Sequence, residues 1–454
     1  MKERESLGSR MGFILLSAGC AIGIGNVWRF PYMVGENGGG LFVIAYVFFL
    51  VALGVPIMTM EYAMGRSSRM SILPAYKKLE PKGTKWHIFG YFAILGNYML
   101  LMFYSVVSGW MLRYFVLTIT GKFDGLSSDG VSEIYQEMMS SPGVLLLYML
   151  ITMIITIVVT SAGLQAGVEK VTKIMMIALI VIMIGLGVYS ITLPNASEGI
   201  SFYLMPNAEN VKKAGLGNVL YAALNQSFFT LSIGIGSMEI FGSYINKDRS
   251  LVGEGLLVAG LDTFVAIVAG LITIPACFSF GVEPDRGPSL IFLTLPNVFI
   301  SLKAGRIIGS FFFLFMYFAA LSTMIGVFEN DVSFSIDIFG FDRKKAALVA
   351  GLIITVCSVP CALGFNVLSF IEPLKEGNTI MDLEDFIVSN LLLPIGSLVT
   401  CIFCTSKYGW GFKNYIDEVN SGKGIKLSKA FEVYFKFVLP AILLFLIIYG
   451  IVSY

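Results

Sequence analysis

Long apolar runs alternate with short polar connectors along almost the whole chain. A hydrocarbon core of about 30 Å needs roughly 20 apolar residues per crossing helix. Eleven runs meet that length: 11–35, 41–65, 88–118, 143–162, 168–192, 216–245, 252–280, 306–337, 346–368, 383–405 and 434–453. The pattern predicts an all-α polytopic membrane protein with 11 transmembrane helices in one domain covering 1–454. The longest polar connectors, 121–140 and 405–432, are too short to fold alone. The first run is not read as a cleavable signal, because Arg29 lies inside it and further spans follow without a small-residue cleavage pattern.

Composition strengthens this reading. Hydrophobic residues make up 56% and charged residues 13%, against roughly 45–50% and about 25% in soluble domains. Mean hydropathy is +0.81, so polar residues are too few to coat a soluble particle. With the N-terminus placed in the cytoplasm, 22 of the 31 Lys and Arg fall on the cytoplasmic side, which favours N-in and C-out. A formal net charge of +1 gives no basic surface for nucleic acid, and the single His87 rules out a His-rich metal site. The six Cys all lie in apolar segments. They exclude a secreted disulfide framework, and the spacings Cys357/Cys361 and Cys401-x-x-Cys404 read as helix packing. Neither HExxH nor GxSxG occurs, which argues against a membrane-embedded enzyme. Gly23-x-Gly25-x-x-Trp28 lacks the third glycine and strand context of a dinucleotide loop.

Two spans carry interruptions. Span 1 reads Gly19-Cys20-Ala21-Ile22-Gly23-Ile24-Gly25-Asn26, and span 6 reads Phe229-Thr230-Leu231-Ser232-Ile233-Gly234-Ile235-Gly236-Ser237. Each glycine costs a helix about 1 kcal/mol relative to alanine. Unwound backbone cannot face lipid, so it must line a cavity. The interruptions lie five spans apart, the mark of an inverted 5+5 repeat, about 11–192 against about 216–405, with the helix at about 434–453 added. Half-helix N-termini suit a carboxylate, and freed carbonyls suit a cation or an ammonium group. A zwitterion presents both charges.

The stretch Gly23-Ile-Gly-Asn-Val-Trp-Arg-Phe-Pro-Tyr32, followed by Glu36-Asn-Gly-Gly-Gly40, closely resembles the neurotransmitter:sodium symporter family, of the LeuT fold. Met60-Glu-Tyr-Ala-Met-Gly-Arg66, Asn225-Gln-Ser-Phe-Phe-Thr-Leu-Ser232 and Ala319-Ala-Leu-Ser-Thr323 agree with it in order. Eleven spans match the shorter bacterial branch, which implies a multi-pass protein of the inner (cytoplasmic) cell membrane. The resemblance implies two Na⁺ sites. The second would use the carbonyls of Gly19, Ile22 and Ala319 and the hydroxyls of Ser322 and Thr323. The first would use the Ala21 carbonyl, Asn26, Thr230, the substrate carboxylate and, allowing one gap, Asp262. The family often has Asn at that last position, and chloride-dependent members bring in chloride nearby. Asp262 as a built-in anion implies chloride independence.

By the same resemblance, the substrate carboxylate would meet the Ile24 and Gly25 amides and the Tyr104 hydroxyl. The amine would meet carbonyls of Ala21, Phe229 and Thr230, and the side chain would lie among Ile22, Leu100, Tyr104, Phe229, Ser232, Ile235, Thr323 and Val327. No charge lines that pocket, which favours an apolar or aromatic L-amino acid. Arg29 with Asp385 would form the outer gate under a lid of Tyr104 and Phe229, and Arg4 with Asp337 the inner one. Leu7 replaces a Trp common near the inner gate, implying a looser closure. Glu61 would support unwound backbone amides, and Glu239 and Glu329 stay open between a water pathway and local pairing. The expectation is a Na⁺-coupled symporter working by alternating access, with no protein partner evident. A proton-coupled transporter of the same fold, with Asp262, Glu61 or Glu239 as carrier, is the alternative. A sensor of transporter ancestry is a third.

Overall fold

A computed structural model describes residues 5–281 and 290–452. Nine continuous helices in it are long and apolar enough to cross a membrane, and one bent pair forms a tenth crossing. The bent pair is α1 (Arg10–Ala21) and α2 (Gly25–Glu36), which meet at 55°. Then come α3 (Gly40–Ser68), α4 (Ile88–Ile119), α5 (Pro142–Ser161) and α6 (Leu164–Ile191). The sixth apolar run is divided into α7 (Leu216–Phe229) and α8 (Ser237–Gly242), with 230–236 turning between them. After these follow α9 (Leu251–Ser279), α10 (Gly305–Phe339), α11 (Arg343–Leu363), α12 (Ile380–Thr405) and α13 (Lys429–Val452). The pair α7 and α8 is too short in its pieces to count as a crossing by length and composition. The eleventh span is therefore the one place where the helix count expected from hydropathy goes beyond what the helices themselves establish.

Local chemistry accounts for the helix ends. Ser9 begins α1 in an extended conformation, and its hydroxyl accepts the Gly12 amide at 2.9 Å. Two connectors expected as plain loops contain helices of their own, Ser128–Ser140 and Phe412–Val419. Ser127 caps the first of these.

The middle of the bundle is α10, a 35-residue helix buried along most of its length that packs chiefly against α4. The helices α5, α6 and α13 lie at the rim, with large apolar side chains such as Val158, Val181 and Phe437 facing outward where lipid would lie. Helices come close where side chains are missing. A Cβ on Gly65 would lie 1.8 Å from the Glu239 carbonyl, and one on Gly242 would lie 2.4 Å from the Tyr62 carbonyl. So α3 and α8 touch backbone to backbone, the small-residue contact by which membrane helices pack. Below that contact Arg66, fully buried, donates to Glu418 at 2.7 Å and to the Arg249 carbonyl at 2.7 Å, while Lys247 reaches the second Glu418 oxygen. This triad ties α3 to the two cytoplasm-facing connectors expected from the charge pattern. All six cysteines are free, in line with a packing role.

Candidate functional site

The two interruptions face each other. At the first, Ile22 leaves the helical region with ψ at 94°, and the Gly23 amide turns to the Asn26 side-chain oxygen at 3.2 Å. Glycine is needed there because a Cβ on Gly23 would approach the Thr323 hydroxyl to 2.5 Å. At the second, Ser232 adopts φ +51°, and Gly234 and Gly236 also lie at positive φ. Ser232 alone among these carries a Cβ into that left-handed region, a sparsely populated conformation.

Freed backbone groups find partners. Glu61 of α3 accepts the Gly234 amide at 2.6 Å and the Met238 amide at 3.2 Å, so this carboxylate serves the unwound stretch. The Ile235 carbonyl receives Asn97 of α4 at 2.8 Å and Asn330 of α10 at 3.3 Å. Gln226 donates to the Gly25 carbonyl at 2.8 Å and so bridges one interruption to the other. Unpaired peptide groups in an apolar interior are costly, and these side chains remove that cost.

Asp262 of α9 sits between the two breaks and is fully buried. Its carboxylate receives the Asn26 amide at 2.8 Å, the Thr230 hydroxyl at 3.2 and 3.0 Å and the Tyr46 hydroxyl at 3.2 Å. The structure thus brings Asn26, Thr230 and Asp262 together, with Ala21 on the adjoining backbone. Tyr46 was not singled out by the sequence. Three donors on one carboxylate leave a hard-oxygen cluster beside the Asn26 and Thr230 oxygens. That donor chemistry fits a hard cation held by oxygen.

A second oxygen cluster lies on the other side of the first break. The Thr323 hydroxyl donates to the Gly19 carbonyl at 3.3 Å and the Ile22 carbonyl at 3.2 Å, and Ser322 donates to the Ala319 carbonyl at 3.0 Å. All five residues named for the second ion are buried and adjacent, and they carry no carboxylate. Between the clusters Ile24, Leu100, Tyr104, Phe229 and Val327 are buried, and the Tyr104 hydroxyl faces the Ile24 and Gly25 amides. A Cβ on Gly25 would meet the Phe229 ring at 2.9 Å, so that ring packs directly against the first break. Ile235 is a lesser fit to the pocket expectation. Its side chain packs towards Gly96 of α4, where an added Cβ would sit 2.9 Å away.

The outer gate differs from expectation, and the inner one falls partly outside the described residues. Among the described residues Arg29 has no carboxylate within ion-pair distance. Its guanidinium lies over the Phe229 ring, 4.4 Å from the centroid, and its Nη1 is buried without a hydrogen-bond partner. Asp385 instead receives the Ser389 hydroxyl at 2.6 Å, one turn along its own helix. The expected outer pair is therefore replaced by a cation resting on the aromatic lid. Arg4 lies outside the described residues, and its expected partner Asp337 accepts the Ser71 amide at 2.7 Å.

The tail that follows Arg4 is tied down at several points. Glu169 accepts the Gly8 amide at 2.8 Å and the Ser9 hydroxyl at 3.1 Å. Arg10 pairs with Glu254 at 3.0 Å, and Glu5 pairs with Arg343 at 2.9 Å. Arg343 also holds the buried Glu329 at 2.8 Å, which in turn receives Tyr244 at 2.6 Å, so Glu329 pairs locally. A cavity of about 260 Å³ opens beside this tail, lined by Ser9, Arg10, Phe13, Asn246, Arg249 and Glu254.

A polytopic bundle with two facing helix breaks, each edged by an oxygen cluster, defines a secondary transporter rather than an enzyme. The chain belongs to the sodium:neurotransmitter symporter family, whose model matches residues 4–129 and 126–454. It is 34% identical over 448 residues to the sodium-dependent transporter YhdH of Bacillus subtilis, covering 98% of each chain. It is 25% identical to the sodium-dependent serotonin transporter of Drosophila melanogaster over 503 residues, covering 100% of this chain and 77% of that one. Among solved structures it is similar to MhsT in complex with L-phenylalanine, with a TM-score of 0.89, 36% identity, and coverage of 99% and 100% of the two chains. Sodium is the coupling ion of this family, and the protein is a multi-pass membrane protein of the LeuT fold.

Proposed function

We propose that this protein imports an apolar or aromatic L-amino acid by symport with Na⁺, independently of chloride, through alternating access. The observation that carries the reading is the buried Asp262 carboxylate held by Asn26 and Thr230 at the meeting of the two breaks. A fixed anion there serves a sodium ion directly and leaves no need for a chloride. The amino-acid substrate is supported by the likeness to MhsT, solved with L-phenylalanine, and by the apolar wall of Leu100, Phe229 and Val327. The first ion would take Ala21, Asn26, Thr230 and Asp262, and the second Gly19, Ile22, Ala319, Ser322 and Thr323. The substrate would lie between Ile24, Gly25, Tyr104 and Ser232. In this reading the chain forms eleven spans with a cytoplasmic N-terminus and an inverted repeat, about 11–192 against 216–405, in the inner membrane.

The driving force is sufficient. Each inward Na⁺ gains about 2.3 kcal/mol per 100 mV, and a tenfold gradient adds about 1.4 kcal/mol. Two ions supply roughly 7 kcal/mol by the same terms. Coupling follows from linkage: a substrate carboxylate that completes the first sodium shell stabilises the ion, and the ion stabilises the substrate equally. The test is uptake of a labelled amino-acid panel into reconstituted vesicles, with and without a Na⁺ gradient, in chloride and in gluconate. Uptake of Phe, Tyr, Trp or Leu that needs Na⁺ and persists in gluconate is expected. A rate that collapses in gluconate overturns the chloride-independent reading.

A further inference from the structure

We propose that Asp331 of α10 is a proton-binding site, separate from the two ion clusters, that exchanges its proton with water on the side where the tail closes. Asp331 is fully buried, and neither of its carboxylate oxygens has a hydrogen-bond partner among the described residues. It lies in a membrane-crossing helix, one turn beyond Val327 of the pocket wall and two turns before the helix end at Phe339. Its neighbour Asn330 donates to the Ile235 carbonyl of the second break, at 3.3 Å. Three other buried acids near the breaks have donors: Glu61 has two backbone amides, Asp262 has Asn26, Thr230 and Tyr46, and Glu329 has Arg343 and Tyr244. Asp331 alone among these has none.

An ionised carboxylate with no partner in an apolar interior is too costly to persist, whereas a carboxylic acid is tolerated there. Intramembrane acids of this kind are functional by default. The groups facing it are few. From α4 comes Tyr98, beside both Asp331 and Ser335. From α11 comes Cys357, beyond Tyr98. Cys20 of α1 packs one turn further back against Gly326. On α10 itself, Glu329 is engaged by Arg343 and Asp337 by the Ser71 amide. No cation among the described residues faces Asp331. Ser335 donates to the Asp331 backbone carbonyl at 2.9 Å, so the hydroxyls of Tyr98 and Ser335 mark a polar route towards the Phe339 end. When water enters along that route, the acid O–H bond breaks, a water molecule takes the proton as hydronium, and a hydrated carboxylate remains. Closure requires the reverse transfer. One proton is thus released to that side on opening and taken back from the same side on closing, so the exchange gates the change of state and moves no net proton across the membrane.

This inference rests on the transport reading above, and both are tested in the same vesicles. Wild-type protein is reconstituted with buffered interiors of stepped pH, a valinomycin–K⁺ clamp on the potential, and labelled L-phenylalanine outside. Na⁺-driven uptake tests transport; its dependence on the pH of the side where the tail closes tests Asp331. Wild-type uptake is expected to slow as that side is made acidic, because opening releases a proton there; Asp331→Asn is expected to keep Na⁺-dependent uptake and lose this pH dependence, and Asp331→Glu to retain it. Wild-type uptake that does not change with that pH overturns the inference and leaves transport standing, as does an Asn variant whose pH dependence is unchanged. Where Asp331→Asn does not assemble, infrared difference spectra of the wild type with and without Na⁺ and substrate decide. A protonated-carboxyl band that Asp331→Glu displaces is expected, and the lack of one overturns the inference.

Discussion

Replacing Asp262 by asparagine exchanges one oxygen for a nitrogen and removes a full negative charge from the junction of the two breaks. The structure sets the size of the effect. A unit charge about 4 Å from a cation contributes about 4 kcal/mol at an effective dielectric of about 20. The amide oxygen that remains returns part of this, while the amide nitrogen faces the Asn26 amide or the Thr230 and Tyr46 hydroxyls, all of which now donate to the carboxylate. A net loss of about 2–4 kcal/mol weakens Na⁺ binding by about 30- to 700-fold. The assay is the Na⁺ midpoint of labelled L-phenylalanine binding to purified Asp262→Asn protein, with choline as the replacing cation. A second arm repeats it in chloride and in gluconate. The wild type is expected to be indifferent to the anion, and the variant to regain part of its Na⁺ affinity in chloride only. A midpoint moved by less than about threefold, under about 0.7 kcal/mol, refutes the argument that this carboxylate serves a sodium ion.

Three further outcomes are expected. Thr323→Val keeps the shape of the side chain and removes the hydroxyl that lies on the Gly19 and Ile22 carbonyls; the Na⁺ midpoint rises about tenfold, about 1.4 kcal/mol, and the Na⁺ dependence becomes less steep. Glu61→Gln weakens two charge-assisted bonds from the Gly234 and Met238 amides, each worth about 1.5–3 kcal/mol, and lowers the melting temperature in detergent; an unchanged melting curve counts against its support of the second break. Glu329→Gln leaves Arg343 short of its buried partner and destabilises the protein by about 3–5 kcal/mol, whereas a paired Glu329→Gln/Arg343→Met variant loses less in the same melt.

Both breaks were legible in the sequence because clustered glycines report directly on backbone that has left a helix. Glu61 was legible for a related reason, since an acid in an apolar span needs a donor and the unwound stretch offers amides. Asp262 could be reached only through the family resemblance and one gap, and hydropathy alone places it anywhere along α9. Tyr46, Asn97, Gln226 and Asn330 were not read. Each lies within an ordinary helix, and what marks it is the direction its side chain takes towards another element. Asp331 stands two residues from Glu329 and drew no notice. Only the packing separates an acid held by Arg343 from one held by nothing. Arg29 and Asp385 show the reverse limit, because a resemblance supplies partners and not the distance between them.

The Ile235 carbonyl, shared by Asn97 and Asn330, has a mechanical meaning. The broken segment is joined to α3 through Glu61 and through the bare backbone contact at Gly65 and Gly242. Amide side chains from α4 and α10 tie the same segment to the central pillar at that one oxygen, beside the Ser237 hydroxyl on Asn97 and the Tyr244 hydroxyl on Glu329. A displacement of the segment against the pillar would strain both amides at once, so α4 and α10 would feel it through a single atom.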